Sequence, residues 1–330
     1  MFAVDLRNST DLLTTLALST PAFWGILTYH TLLTLLSLFG NLLVLYGTHR
    51  YNAIDIDAIS LVFVKCLAVT DICIALVSGL PILSTLVAQG WVLGEGACLV
   101  LAYLVYIPGI AQSFVILEFT LYKLVLLLNP MEALIGFWTP SRMGTMFGIT
   151  YVLVTVHVGI TFWLSTGAVY VPAEFSCNID KSGPELQLFG VVSVLLISFL
   201  PPVLMIIVNV VLLVIAGRAA QNANNQPSNR AIAITLTVSW VYVISILPKG
   251  VMNIIFALKR TTPLWLVVFQ KEVFFVNTAC NPVIYTALNE RFREFASRRL
   301  FRKIAEVHWG MRRWLPERKR SRAALVSPRL

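Results

Sequence analysis

Apolar residues in this sequence gather into seven long blocks, separated by stretches that are polar or contain glycine and proline. An α-helix rises about 1.5 Å per residue, so about 20 apolar residues are needed to cross the roughly 30 Å hydrocarbon core of a membrane. Each block is long enough for one crossing. The pattern therefore predicts an all-α membrane protein, a seven-transmembrane helix bundle. The predicted spans are 24–48, 60–86, 98–128, 143–167, 187–216, 231–257 and 265–287.

The composition agrees with a membrane protein and argues against an enzyme. Hydrophobic residues make up 58% of the 330 residues and charged residues 12%, against about 25% charged in soluble domains. The sequence contains no metal-ligand cluster, nucleophile triad or phosphate-binding loop, and its four histidines are scattered. We therefore expect no catalysis and no organic cofactor. No internal repeat is visible either, which disfavours transporters built from duplicated halves.

Excess positive charge is concentrated at the C-terminus. Residues 289–330 contain 13 Lys and Arg and 4 Asp and Glu, which accounts for the whole net charge of +9. The remainder is neutral, so no partner nucleic acid is expected, whereas the tail suits anionic membrane lipids or an acidic partner. Lys and Arg number 17 in the breaks on the side of the tail and 4 in the others. Because these residues collect on the cytoplasmic side, the N-terminus is predicted outside the cell and the C-terminus inside.

These patterns divide the chain into four predicted regions. They are an extracellular segment (1–23), the helix bundle (24–288), an amphipathic helix on the inner membrane surface (289–302) and a basic cytoplasmic tail (303–330). Asn8 begins the one usable N-glycosylation sequon, in the first region. In the third region, Phe292, Phe295 and Leu300 fall near one helical face among arginines, which is typical of a short helix lying on a membrane.

A set of short motifs appears in register with the predicted spans. They are Gly40-Asn41, Leu67-Ala68-Val69-Thr70-Asp71, Trp91-x-x-Gly94 ahead of Cys98, Pro201-Pro202, Pro248, and Asn281-Pro282-Val283-Ile284-Tyr285 followed by Phe292. In this order the chain resembles the rhodopsin-like G-protein-coupled receptors, as a divergent member, over roughly 24–301.

The resemblance implies a plasma-membrane receptor that couples an extracellular ligand to a heterotrimeric G protein by a shift in helix packing. It also implies a disulfide between Cys98 and Cys177. The implied switch and coupling residues are Asp71, Tyr122, Lys123, Pro248, Asn281, Pro282 and Tyr285.

Some positions depart from the pattern of the family. Where most members have Asp-Arg-Tyr, this chain has Tyr122-Lys123-Leu124. Lysine keeps the positive charge but loses the planar fork of arginine. Ile246 stands where a tryptophan is common, and Asn209 where a tyrosine is common. These departures favour an alternative function: a membrane binding, scavenging or partner protein of the same fold that does not activate G proteins.

Asp71 lies in the middle of a predicted span, where an ionised carboxylate is costly and needs partners. The resemblance places Asn41, Gln112 or Ser113, Asn277, Thr278 and Asn281 around it. In relatives such a cluster often holds a structural sodium ion, here with Asp71, Ser113, Asn277 and Asn281 as ligands. The alternative is a neutral, hydrogen-bonded Asp71 without an ion.

Two lysines, Lys249 and Lys271, lie in the halves of their spans that are predicted to be nearer the extracellular side. A lysine in a span is a functional candidate by default. The residues expected to line the ligand pocket are Tyr103, Val105, Tyr106, Lys249, Asn253, Phe256, Lys271 and Phe275. Val105 stands where amine receptors have an aspartate, which disfavours an amine ligand. The two lysines, with aromatic residues nearby, favour an anionic, lipophilic ligand. The alternative is structural: Lys271 points outward or pairs with Glu272, and Lys249 faces a polar neighbour.

Overall fold

Within the residues that it describes, a computed structural model shows a bundle of seven long helices, one for each predicted span. They are α1 (Pro21–Arg50), α2 (Ala58–Ala88), α3 (Gly94–Leu128), α4 (Pro140–Trp163), α5 (Leu200–Asn222), α6 (Asn229–Ala257) and α7 (Leu264–Leu288). The structure describes residues 3–4, 21–128, 138–180, 189–190, 192–222, 229–257 and 262–298. Several helices extend past the apolar block that predicts them, as α1 does at both ends.

Six helices in the described part of the chain are long and apolar enough to cross a membrane. The 25-residue helix α7 is not one of these six, because its sequence includes the polar run Gln270-Lys271-Glu272. Gln270 and Glu272 are nevertheless buried, whereas Phe269 and Val283 are exposed. Helix α7 therefore turns polar residues into the bundle and apolar residues outward, as a spanning helix must.

Helix α3 lies at the centre of the bundle, in contact with α2, α4, α5 and α6, while α7 packs between α1 and α6. The largest apolar core joins these helices, and the rings of Phe63 and Phe119 stack within it at 3.8 Å. Helices α1 and α7 approach each other closely at Gly40. A Cβ atom on Gly40 would lie 2.7 Å from Cγ of Pro282. Only glycine therefore allows the proline of α7 to approach α1 this closely.

Irregular turns interrupt the helices where prolines occur. Ala75–Gly79 of α2 forms a π-helical turn just before Pro81, and Val194–Phe199 forms another ahead of α5 and its two prolines. Pro248 and Pro282 lie inside α6 and α7. Proline removes a backbone donor and π turns shift the register, so these are the points at which the helices can bend.

A β-hairpin closes one end of the bundle. Strand β2 (Ala168–Val171) pairs antiparallel with β3 (Ser176–Ile179), and the 3₁₀ turn Pro172–Glu174 connects them. Two short strands, β1 (Ala3–Val4) and β4 (Thr262–Pro263), also pair with each other. We call the end with the hairpin the hairpin end and the opposite end, which carries Lys123, the Lys123 end.

Residues 290–298 are helical and follow α7 after a break at Asn289. The Asn289 side chain accepts a hydrogen bond from the backbone nitrogen of Phe292 at 3.1 Å, as a helix N-cap does. Phe292 is 1% exposed, and Phe295 packs against Gly47 of α1. The placement of this segment on a membrane surface stays a prediction. Asn8, Leu300 and the tail 303–330 lie outside the described residues.

Candidate functional site

The hairpin is fixed to α3 by a disulfide between Cys98 and Cys177, with Cα atoms 5.3 Å apart. This confirms the pairing that the family resemblance implies. Cys98 lies in the first turns of α3 and Cys177 lies in β3. The bond therefore places the tip of the hairpin, residues 172–176, over the interior of the bundle.

Lys271 of α7 is bound by the tip of the hairpin. Its Nζ atom lies 3.2 Å from Oε2 of Glu174 and 2.6 Å from Oγ of Ser176. Asn178 donates a further hydrogen bond to Oε2 of Glu174 at 3.0 Å. The side chains of Lys271 and Glu174 are only 16% and 19% exposed. Lys271 thus points neither outward nor toward Glu272, the two structural alternatives considered above.

Glu174 is held in its charged form by this environment. Burial acts to raise the pKa of its carboxyl group, but the charge of Lys271, the hydrogen bonds from Asn178 and Lys271, and the charge of Lys249 outweigh it and lower the pKa. The Nζ atom of Lys249 lies 5.1 Å from the centre of the Phe274 ring, within the range of a cation–π contact. Lys271 therefore binds the carboxylate of Glu174 directly, and Lys249 acts on the same carboxylate through its charge.

Glu272 has a different partner. Its carboxylate lies 3.1 Å from Nδ1 of His30 in α1, and Nε2 of the same ring lies 3.2 Å from the carbonyl oxygen of Gly79. His30 is fully buried and its ring meets Phe275 edge-on at 4.8 Å. This contact links α1, α2 and α7 beneath the hairpin.

The other residues predicted to bind ligand lie in separate places. Val105 lines a small cavity between α2, α3 and the hairpin, whose other walls are Val77, Ser78, Pro81, Trp91, Leu101, Ser176 and Cys177. Phe275 is fully buried beside His30. Tyr103 and Tyr106 pack in a cluster with residues of α4. Asn253 and Phe256 lie on α6, but their side chains are outside the described part of the structure.

A polar cluster surrounds Asp71 in the middle of the bundle. Asp71 is fully buried and accepts hydrogen bonds from Nε2 of Gln112 at 2.7 Å and Nδ2 of Asn281 at 2.6 Å. Asn277 donates to Oε1 of Gln112 at 3.1 Å, and Asn41 donates to the carbonyl oxygen of Thr278 at 3.0 Å. Helices α1, α2, α3 and α7 are therefore tied together around one carboxylate.

The predicted sodium ligands fit this geometry in part. Within the described part of the structure, the Oδ1 atoms of Asn277 and Asn281 are buried and accept no hydrogen bond. Uncoordinated oxygens beside a carboxylate suit a hard cation. The Oγ atom of Ser113 is likewise buried without a hydrogen-bond partner among the described residues, but the α3 residue that binds Asp71 directly is Gln112. An ion at this cluster stays a prediction.

At the opposite end, Lys123 forms an ion pair with Asp57. Lys123 is 1% exposed, and its Nζ atom lies 2.9 Å from Oδ2 of Asp57 and about 5 Å from the ring centres of Phe119 and Tyr122. Asp57 also caps α2, accepting a hydrogen bond from the backbone nitrogen of Ser60 at 2.9 Å. Burial acts to raise the pKa of the Asp57 carboxyl group, but the charge of Lys123 and the Ser60 hydrogen bonds lower it overall.

The remaining predicted switch residues lie along the inner surfaces of α3, α6 and α7. Tyr122 is buried and meets the ring of Trp138 at 5.4 Å. Pro248 and Pro282 interrupt the hydrogen-bond ladders of their helices. Tyr285 is fully buried, and its hydroxyl has no hydrogen-bond partner among the described residues.

The sequence matches the model of a known protein family over most of the helix bundle. The family model "7 transmembrane receptor (rhodopsin family)" matches residues 40–285. The chain belongs to the rhodopsin family of seven-transmembrane receptors. This confirms the predicted fold class and the prediction of a receptor rather than an enzyme. It also makes the chain a member of a family of multi-pass membrane proteins.

Individual relatives in the rhodopsin family are distant. The chain is 24% identical to the melatonin receptor type 1A of Mus musculus over 269 residues, covering 77% of this chain and 74% of the relative. It is 23% identical to the melatonin receptor type 1B-B of Danio rerio, covering 96% and 93%. It is 24% identical to the thyrotropin-releasing hormone receptor of Gallus gallus, covering 74% and 70%. These identities support the family and leave the ligand open.

The sequence analysis did not predict the carboxylates that pair with Lys271 and Lys123, which are Glu174 and Asp57. Glu174 precedes Cys177 by three residues, so the disulfide itself signals that Glu174 reaches the mouth of the bundle. Asp57-x-x-Ser60 at the start of a span is a capping pattern. The pairing of Asp57 with Lys123, 66 residues away, has no signal in the sequence.

Proposed function

We propose that this protein is a cell-surface receptor that couples the binding of an extracellular ligand to a heterotrimeric G protein by a shift in helix packing. The hairpin end faces the outside and the Lys123 end faces the cytoplasm. The charge bias along the chain supports this orientation. An epitope tag on Met1 should then be accessible on intact cells, and a tag on Leu330 only after permeabilisation. The opposite labelling would overturn the orientation.

The observation that carries the proposal is the cluster around Asp71. Its two carboxylate oxygens each bind an amide from a different helix, Gln112 of α3 and Asn281 of α7. A sliding or rotation of either helix exchanges these partners rather than stretching them, because a buried carboxylate must stay satisfied. Such a network has discrete arrangements, which is what a two-state receptor needs.

The proposed ligand is an acid with an apolar body, recognised at the hairpin end. Lys271 and Lys249 supply positive charge there, and Val105 and its neighbours supply an apolar wall. The names of the relatives specify two ligands, melatonin and thyrotropin-releasing hormone, so resemblance alone does not choose between ligand classes. The lysines favour an anion.

The ligand proposal is tested by screening fatty acids, small carboxylates and acidic peptides against amines, with nucleotide exchange as the response. Removing one charge-assisted contact costs about 1.5–3 kcal/mol, so Lys249→Gln should weaken the response to an active acid roughly ten- to hundredfold. Surface expression of Lys249→Gln should stay near that of the wild type. Lys65 on α2, far from the lysine pair in sequence, gives the matched control Lys65→Gln. A response to amines with none to acids would end the acid proposal.

A second candidate function has one observation in its favour. Lys123 replaces the usual arginine, and its buried ammonium group is bound to the partly exposed Asp57 at 2.9 Å. A protein held in this way would capture or internalise a ligand, or partner another receptor, without activating a G protein. Uptake of a bound acid without nucleotide exchange on any G protein would favour this function.

The basic tail is proposed to contact the cytoplasmic membrane surface. Its 13 Lys and Arg against 4 Asp and Glu suit anionic lipid headgroups. The helical residues 290–298 carry three of these arginines, at positions 291, 293 and 298. Phe292 and Phe295 of the same segment pack on the bundle.

A further inference from the structure

The tip of the hairpin occupies the mouth of the bundle. Ala173 is fully buried against Met252 of α6 and Val267 of α7. Phe175 is 6% exposed and packs in a cluster with Phe23, Ile74 and Phe275. The tip is thus packed against four different helices, as a bound ligand would be.

Backbone geometry aims the two polar side chains of the tip at one lysine. Phe175 has φ of 51°, in the left-handed region that bulky residues rarely adopt. Its ring lies in the apolar cluster, while Glu174 before it and Ser176 after it both reach Nζ of Lys271. The β-ladder and the Cys98–Cys177 bond hold this conformation in place. Strain of this kind concentrates at functional sites.

We propose that Glu174 is a displaceable internal occupant of a carboxylate-binding site formed by Lys271, Ser176 and Asn178, and that an acidic ligand of the receptor takes its place. The inference rests on the proposed acidic ligand and deepens it. The Lys271 ammonium and the Asn178 amide donate to the carboxylate now, at 3.2 and 3.0 Å. Ser176 accepts from Lys271, which leaves its own hydroxyl proton to donate to an incoming anion.

Exchange of one carboxylate for another keeps Lys271 paired. Leaving a lysine alone in a buried site is the costly event, so a like-for-like replacement avoids the main barrier to binding. Ser176 also lines the small cavity beside Val105. Because that cavity has room for about one water molecule, the apolar body of a ligand can enter only if the tip of the hairpin withdraws as its carboxylate is exchanged.

The test is rescue of a truncated variant by a small carboxylate. Glu174→Ala removes the internal carboxylate and leaves a space of about the size of acetate. Thermal unfolding of the purified full-length receptor in detergent is then measured in sodium acetate, in sodium chloride at the same ionic strength and with acetamide. This readout needs no G protein and no known ligand, so its failure is separate from a failure of G-protein coupling.

The expected result is that acetate raises the unfolding temperature of Glu174→Ala by about 2 °C or more over chloride, while acetamide does not. Wild type should show no such difference, because Glu174 fills the site. Glu174→Gln should also show none, since its amide occupies the same space. Adding Lys271→Gln to Glu174→Ala should abolish the rescue.

Equal stabilisation of Glu174→Ala by acetate and chloride, or by acetate and acetamide, would overturn the proposal. If Glu174→Ala cannot be purified, acetate supplied throughout purification should restore its yield and chloride should not. Equal yields in the two salts would again contradict a carboxylate site.

Discussion

Lys123 on α3 and Asp57 at the start of α2 form an ion pair whose nitrogen and oxygen atoms are 2.9 Å apart. The sequence replaces the acidic neighbour of the usual arginine with Tyr122, so the lysine lacks an adjacent counter-charge. The structure supplies one from another helix. The rings of Phe119 and Tyr122 contact the same ammonium group. The charge of Lys123 is therefore used to tie α3 to α2 at the Lys123 end.

Asp57→Asn should destabilise the receptor by leaving Lys123 buried without a counter-charge. Removing one partner of a buried pair costs about 3–5 kcal/mol. The side chain of Asp57 is 42% exposed, so we expect a smaller loss, about 1–3 kcal/mol. Asparagine caps a helix as well as aspartate does, so the substitution spares the N-cap of α2. The measurement is thermal or denaturant unfolding of the purified protein.

The control is a double-mutant cycle with Lys123→Met. If the two residues are coupled, the loss in Asp57→Asn/Lys123→Met should be smaller than the sum of the single losses by about 0.5–3 kcal/mol. Strict additivity would show that the ion pair does not contribute to stability.

The same pair predicts how stability depends on pH. The folded-state pKa of Asp57 lies below its ordinary value of 3.8. A group with a lowered pKa stabilises the fold above its unfolded pKa, and loses that contribution as the pH falls through its folded pKa. The difference in unfolding temperature between wild type and Asp57→Asn should therefore be constant from about pH 8 to pH 5 and shrink below about pH 4. A difference that disappears near pH 6 would point to another titrating group.

The Cys98–Cys177 bond should be needed for the hairpin end to form. A disulfide typically contributes about 2–4 kcal/mol. Cys98→Ser and Cys177→Ser should lower surface expression to the same degree, and the double variant should be no worse than either, because all three lack one shared bond. Cys66→Ser is the matched control, since Cys66 is a free cysteine. Additive losses in the double variant would contradict the pairing.

Sodium binding at the Asp71 cluster is predicted to stabilise the protein. Ion binding to the folded state alone raises the unfolding temperature with ion concentration. Sodium chloride should therefore stabilise wild type more than choline chloride does, and Asp71→Asn should remove the difference. The same sodium response in both proteins would place the ion elsewhere. No response in wild type would favour the neutral, ion-free Asp71.

The sequence predicts the seven helices well, because the need to fill about 30 Å of hydrocarbon leaves a pattern readable over each span. The Asp71 cluster is predicted for a related reason, since a polar residue in a span needs partners and the family motifs name them. The sequence could not choose between Gln112 and Ser113 as the α3 partner, because the two are adjacent on a helix and differ in the direction of their side chains. In the structure the partner is Gln112.

Contacts made by loops were not predictable in the same way. Lys271 meets Glu174 because of a left-handed residue at Phe175 and a hairpin fixed by a disulfide, and neither leaves a periodic pattern. The pairing of Lys123 with Asp57 depends on the length and path of the connection between α1 and α2. The sequence thus identifies Lys123 and Lys271 as unusual, and the structure identifies the carboxylates of Asp57 and Glu174 as their counter-charges.

Nucleotide exchange on purified G proteins shows whether this chain activates them. Membranes containing the receptor are incubated with each member of a panel of purified heterotrimeric G proteins, and with membranes lacking the receptor as the control. We expect exchange above the control on at least one G protein. An active acid should increase this exchange, and the increase should be smaller in Lys249→Gln. Exchange equal to the control on every G protein, with the receptor folded and binding an acid, would contradict activation of G proteins by this chain.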